Sequence, residues 1–204
     1  VTSDIIKHLR LPKPNSRKRD NGRLLIIAGS DKYFGALVYA VRAASRIVDL
    51  VYVLTTNDNK KLIEKMKLKT PEFMPLVSLP WRGEGARRAG EVDLDTILIG
   101  PGLGVSQRTK NLVKQVLKSK IKTVLDADAL NVLDAKMLAL INQNHILTPH
   151  HREFQRLFHL KPTAQNAEKM MKKYKCTIVL KGPVDYIANP NKGLWQNKTG
   201  NAGM

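Results

Sequence analysis

The sequence predicts an α/β protein, an open and mostly parallel sheet covered by helices on both faces, with a β-hairpin late in the chain. Three observations carry that prediction. Short apolar runs recur along the chain and are continuous rather than alternating, the pattern of strands buried on both faces. Between them lie segments whose apolar residues fall three and four apart, as on amphipathic helices. Several of the apolar runs end in glycines or clustered polar residues, which punctuate strand ends. At 204 residues, 43% of them hydrophobic, the chain suits one domain with a real core.

The elements follow in order. Residues 1–20, with Pro12, Pro14 and Arg17-Lys18-Arg19, read as a short helical turn and an exposed basic lead-in, and residues 21–204 as the folded domain. Leu24-Leu25-Ile26-Ile27-Ala28, closed by Gly29-Ser30, is a buried strand. An alanine-rich helix over 35–47, with Leu37, Val41 and Ala44 on one side, leads to a strand over 50–54, which completes a strand–helix–strand unit. A helix over 60–66 and a short strand over 74–79, between prolines, come next. The strand over 96–99 runs into Gly100-Pro101-Gly102-Leu103-Gly104 and then a helix over 107–118 with Leu112, Val113, Val116 and Leu117 facing in. Strand 122–125 ends at Asp126-Ala127-Asp128, followed by a helix over 135–141. Strand 145–147 ends at Thr148-Pro149-His150, followed by helices over 152–158 and 164–174. Strand 177–180 ends at Lys181-Gly182, and 184–188 with 193–195 form the hairpin around Asn189-Pro190-Asn191-Lys192. In a parallel sheet the five segments at 29–30, 100–104, 126–128, 148–150 and 181–182 gather on one edge, beyond the carboxyl ends of the strands where ligands bind in such folds.

Charge narrows the classes. Thirty-five Lys and Arg against seventeen Asp and Glu leave a formal charge of +18. Nucleic acid is the first partner such a balance suggests. The basic residues are dispersed, however. Lys110, Lys114 and Lys118 share one helix, and Lys169, Lys172 and Lys173 another, at spacings that build solvated faces. Aromatics amount to 5% and none interleave with the basic runs, so no stacking platform for single strands forms. A single cysteine, Cys176, excludes an internal disulfide framework and a cysteine-based zinc cluster. No apolar run reaches the roughly 20 residues of a membrane span, and the first residues lack the apolar core of a signal peptide, so the expectation is a cytoplasmic protein without a membrane partner.

Each polar strand end admits two readings. The 100–104 glycines allow backbone amides to approach a phosphate, or make a tight strand-to-helix turn; no Gly-Lys-Ser/Thr follows, and the spacing is poor for a dinucleotide fingerprint. Asp126 and Asp128 could hold Mg²⁺ or its waters, or one of them could cap the next helix. His150 and Glu153 stand about one helical turn apart, but no third ligand is evident, which argues against a transition metal. A substrate contact for His150 and a capping role for Glu153 fit better. Lys181-Gly182 pairs a cation with a flexible backbone, which suits a phosphate.

Taken together these segments resemble a family. Gly29-Ser30-x-x-Tyr33-x-Gly35-Ala36, Gly100-Pro101-Gly102-Leu103-Gly104, Asp126-Ala127-Asp128-Ala129-Leu130-Asn131, Leu147-Thr148-Pro149-His150-x-x-Glu153-Phe154, Leu180-Lys181-Gly182-Pro183 and Gly200-Asn201-x-Gly203-Met204 occur in this order in the NAD(P)H-hydrate dehydratases, the YjeF carboxy-terminal-domain proteins. The resemblance implies a ribokinase-like three-layer α/β/α fold and a metabolite-repair hydro-lyase. In that family ADP or ATP, with Mg²⁺, phosphorylates the hydroxyl of hydrated NADH or NADPH, phosphate leaves, and the dihydronicotinamide returns. It further implies that Ala36, Gly104 and His150 line the hydrated-nicotinamide site. Lys181, Gly182, Pro183, Val184 and Asp185 would form the nucleotide segment, with Asp126, Asp128 and Asn131 near phosphate or Mg²⁺. A homo-oligomer is compatible with it, and nucleic acid is not expected.

The family continues past its Gly-Asn-x-Gly-Met segment into Gly-Gly-Thr-Gly-Asp, whose Asp is the proposed base. The sequence ends at Met204, so the expectation is a C-terminally incomplete domain with no catalytic residue of its own and without the amino-terminal epimerase domain of many relatives. Asp185 stands where Thr is usual, Arg152 where Gly is common and Leu37 where Pro is common. Two other activities share the fold-level reading: a kinase acting on a small alcohol such as a vitamin precursor, and a nucleotide-binding protein without catalysis.

Overall fold

The structure is a computed structural model that describes residues 13–55, 60–69, 72–82, 86–87 and 92–199. The first twelve residues of the expected lead-in lie outside it, as do residues 200–204 of the last motif; residues 13–22 form turns and irregular backbone.

The strands are β1 (Arg23–Ile27), β2 (Leu50–Leu54), β3 (Met74–Leu76), β4 (Trp81–Arg82), β5 (Ala86–Arg87), β6 (Thr96–Ile99), β7 (Lys122–Leu125), β8 (His145–Leu147), β9 (Thr177–Leu180), β10 (Asp185–Asn189) and β11 (Gly193–Asn197). The helices are α1 (Gly35–Ala44), α2 (Lys60–Lys69), α3 (Gln107–Lys118), α4 (Asp128–Asn131), α5 (Ala135–Leu138), α6 (His151–Phe158) and α7 (Ala164–Tyr174). Nine strands form one sheet in the order β11-β10-β9-β8-β7-β6-β1-β2-β3. Pairing is parallel from β9 through β3, while β10 and β11 are antiparallel, as the late hairpin requires. β4 and β5 form a separate two-stranded antiparallel ribbon.

Strand alternation divides the core in two. Leu25, Ile27, Ile97, Ile99, Leu125, Leu147 and Ile178 meet the apolar stripes of α3 to α7 on one side of the sheet. Ile26, Ala28, Val51 and Val53 meet Leu37, Val41, Ile63 and Met66 of α1 and α2 on the other. On that second side α1 and α2 reach β1 and β2; farther along, Ile146 and Trp195 are 36% and 44% exposed and Val124, Val179 and Ile187 are half-buried.

Several boundaries differ from expectation, and three have a visible local cause. The first helix ends at Ala44 rather than 47, because the chain must turn to deliver Asp49 to the backbone amides of Arg19 and Asn21. β3 ends at Leu76 because Val77 swings out to 89% exposure before Leu79 returns to the core. The helix at 135 stops at Leu138, where tighter turns take over through Leu140 N–H to Met137 and Ile141 N–H to Leu138.

Candidate active site

The parallel sheet brings the five polar strand ends to one edge, and backbone and side-chain bonds join them in sequence. The Gly29 N–H donates to Pro101 O at 2.8 Å, tying the loop after β1 to the loop after β6. A Cβ on Gly102 would stand 2.3 Å from Tyr33 O, so that position must be glycine for the two loops to approach. Gly100, at φ +125°, faces the next loop in the same way, where a Cβ would stand 1.8 Å from Asp126 O. The Gly104 N–H donates to Asp128 Oδ2 at 2.8 Å. Lys181 N–H donates to Pro149 O at 2.8 Å and pairs with His150 in a parallel bridge. Ala36 lies in the first turn of α1, which the loop after β1 leads into.

At the centre, Asp126 Oδ1 accepts two donors, Lys181 Nζ at 2.6 Å and Thr148 Oγ1 at 2.8 Å. Each member of this cluster is the first residue past one of three adjacent strands, β7, β8 and β9. The lysine side chain remains 41% exposed, so the ammonium faces the open edge as well as its carboxylate. Between the two aspartates, Ala127 holds φ 48° and ψ −117°, a conformation that L-residues rarely adopt. The reversal there points the Asp126 carboxylate toward β8 and β9, and that of Asp128 toward the glycine loop.

His150 is the N-cap of α6. Its Nδ1 accepts from the Arg152 and Glu153 amides at 3.1 and 3.3 Å, and the buried Glu153 Oε2 accepts from the His150 amide at 2.9 Å, a reciprocal capping box. Nε2 stands 3.5 Å from Glu153 Oε1 on an imidazole that is 51% exposed. The Lys181–Asp185 segment is closed by its own last residue: Asp185 Oδ1 accepts from the Gly182 amide at 3.1 Å and Oδ2 from Asn197 Nδ2 at 3.2 Å. Its carboxylate is thereby committed to the loop and the hairpin.

Two readings of the strand ends are corrected here. The expected helix at 135, α5, is capped by Asp134, which accepts from the Met137 amide, and not by Asp126 or Asp128; nor does either side chain cap the intervening α4, where Ala127 is the N-cap residue, and Asp128 instead holds the Gly104 amide and accepts from Asn131 Nδ2 at 3.4 Å. The glycine loop does not open α3 directly either: Ser106 caps that helix, and the Gly104 amide already has the Asp128 partner. Sequence reasoning assigned no role to Thr148, whose hydroxyl orients Asp126, and none to the strained Ala127. The paired aspartates around a small residue were the available signal for the second. Among the described residues no three His, Cys, Asp or Glu side chains group as a metal centre.

A family model described as NAD(P)H-hydrate dehydratase matches residues 24–204. The chain is 39% identical over 208 residues to a bifunctional NAD(P)H-hydrate repair enzyme of Methanocaldococcus jannaschii, covering 98% of this chain and 39% of that protein. It is 31% identical to an ADP-dependent (S)-NAD(P)H-hydrate dehydratase of Cenarchaeum symbiosum, covering 96% of this chain and 71% of the relative. Among solved structures, a ribokinase-like superfamily protein from Enterococcus faecalis superposes with a TM-score of 0.84 at 29% identity, over 100% of this chain and 72% of that one. An ADP/ATP-dependent NAD(P)H-hydrate dehydratase from Bacillus subtilis, co-crystallized with ATP/Mg²⁺, superposes at 0.76 and 25% identity, over 98% of this chain and 72% of that one. The chain thus spans about two fifths of the bifunctional relatives, and about seven tenths of the dehydratases it matches.

Proposed function

The chain belongs to the NAD(P)H-hydrate dehydratase family, and from that premise we propose that its strand-end edge serves the nucleotide-dependent dehydration of hydrated NADH or NADPH. The observation that supports this most is the Lys181–Asp126–Thr148 cluster, which stands beside His150 on adjacent strand ends.

The chemistry suits such an edge. Hydroxide is a poor leaving group and phosphate a good one. Transfer of the terminal phosphoryl group of ADP or ATP forms a phosphorus–oxygen bond at the substrate hydroxyl and breaks the one to the nucleotide; the hydroxyl proton passes to a base. The carbon–oxygen bond then breaks, phosphate departs with its electron pair, a neighbouring carbon releases a proton, and the ring double bond returns. Phosphoryl transfer of this kind depends on positioning and charge stabilisation. Lys181 Nζ supplies positive charge for the transferred phosphoryl oxygens, while Asp126 and Thr148 fix its position. The 181–185 loop, pre-formed by Asp185, receives the nucleotide. Gly104, held by Asp128, and His150, held by Glu153, would contact the nicotinamide together with Ala36.

The residues fit a magnesium ion that arrives with the nucleotide better than a resident one. Asp126 and Asp128 each already accept hydrogen bonds, and Mg²⁺ commonly keeps several waters and takes one or two carboxylates beside substrate phosphates. Asp126, Asp128 and Asn131 would hold it through those waters, and bound there it would neutralise charge on the phosphates.

Recovery of NADH absorbance from its hydrate, with ADP or ATP and Mg²⁺, is the test. The proposal expects nucleotide-dependent recovery by a protein that joins this chain to the family's Gly-Gly-Thr-Gly-Asp segment, whose Asp would take the hydroxyl proton, reduced about 100-fold in Lys181→Met. Phosphorylation of a vitamin-type alcohol with no response to the hydrate would overturn it in favour of a kinase.

A further inference from the structure

α5, the end of α6 and α7 line a half-open cavity of about 480 Å³. None of its lining residues belongs to the strand-end segments, and the proposed reaction uses none of them. Its volume lies within the roughly 300–1,000 Å³ typical of small-molecule sites. Two kinds of surface meet there. Leu138, Leu157 and Met170 are buried apolar floor, next to the rings of Phe158 and Tyr174, whose centroids are 5.8 Å apart. The rim is cationic: Arg156, Lys169 and Lys173 are exposed and line the same cavity, with His159 beside them. The one lining carboxylate, Asp134, is occupied on both oxygens, by Lys110 Nζ at 2.8 Å and by the Met137 amide at 2.9 Å. An apolar floor under a positive rim selects a molecule with the opposite polarity at one end.

Arg156 links this place to the strand ends. Its Nη2 donates to Leu130 O at 2.8 Å and its Nη1 to Asn131 O at 3.2 Å, the last carbonyls of α4. α4 begins with Asp128, which holds the Gly104 amide. A guanidinium has five N–H donors, so Arg156 can engage an anion at the rim, and an anion that draws it outward takes it from those carbonyls.

We propose that this cavity binds an amphipathic anion, a planar or acyl apolar group that carries a phosphate or carboxylate, and that its occupancy is transmitted through Arg156 and α4 to the glycine loop. The binding claim stands independently of the dehydratase reading.

The test uses 1-naphthyl phosphate as the probe, titrated into the full chain and followed by calorimetry and by amide NMR. Saturable binding is expected, with the Gly104 amide resonance moving as the probe binds. Exchange of both rim lysines, Lys169→Glu with Lys173→Glu, should weaken it about tenfold, equivalent to about 1.4 kcal/mol. Both side chains are exposed, so this variant should fold. Met170→Trp, which fills the cavity while leaving the rim charge, should remove binding as well. No saturation by about 10 mM probe, weaker than any useful site, would overturn the proposal. So would binding that survives the lysine exchange and disappears in Lys181→Met, since it places the probe at the strand ends. Binding with a stationary Gly104 amide would overturn the coupling.

Discussion

Asp126 illustrates how much single residues decide here, because one carboxylate oxygen fixes both the cation of β9 and the hydroxyl that follows β8. Its role was legible only in part. The paired carboxylates announced a site, but the partner, Lys181, is 55 residues away and comes near only through strand order. Gly100 is the least replaceable residue nearby. Gly100→Ala must strain a φ of +125° and drive a methyl group against Asp126 O, so a loss of about 3 kcal/mol or more in chemical denaturation is expected. A wild-type denaturation midpoint would contradict the packing described. At the other end of β8, His145 is buried, with Nδ1 accepting from the Asn142 amide and no hydrogen-bond partner for Nε2 among the described residues. Burial pushes its pKa down to about 4. The unfolded chain, with the usual value near 6.5, binds the proton more readily, so His145 contributes stability fully above about pH 6.5 and loses it as pH falls toward 4. That loss approaches about 3 kcal/mol. Denaturation of His145→Asn from pH 7 to 4 should therefore show a shallower decline than wild type; parallel curves would refute it.

Helix termini hold the site together at the next scale. α6 begins at the site because His150 and Glu153 cap it reciprocally, and the same bonds fix the imidazole. The spacing of Glu153 made its half of the capping box legible, whereas His150 was read as a substrate contact and turns out to be the N-cap too. Glu153→Ala should cost about 1–2 kcal/mol in thermal unfolding and raise the KM for the hydrate, because the cap and the orientation of His150 are lost together. An unchanged KM with reduced stability would restrict Glu153 to folding alone. α4 was missed by sequence reading: it is four residues long, follows a residue with positive φ, and depends on Arg156 for its final carbonyls. No periodicity develops over so short a span. The long helices α3 and α7, with full apolar stripes, were found to the residue.

Over the whole molecule, the strand–helix alternation sufficed to predict the sheet and the edge on which its polar loops gather, since parallel crossovers leave few alternatives. The dispersal of basic residues over helix faces also holds. Lys114, Lys118, Lys169, Lys172 and Lys173 are exposed, while Lys172 pairs with Glu168 and Lys110 with Asp134. With a formal charge of +18 the folded chain repels itself, so raising NaCl from about 0.05 to 0.5 M should increase the melting temperature by about 2–5 °C. A fall with salt would show that ion pairs outweigh that repulsion. Among the described residues no helix is long and apolar enough to cross a membrane. The account rests on five separated loops acting as one binding edge, and amide NMR of the chain titrated with ADP and Mg²⁺ tests that most directly. Shifts should concentrate at residues 29–36, 100–104, 126–131, 148–153 and 181–185 together. Shifts confined to the lysine-bearing faces of α3 and α7, with those five segments unmoved, would contradict it.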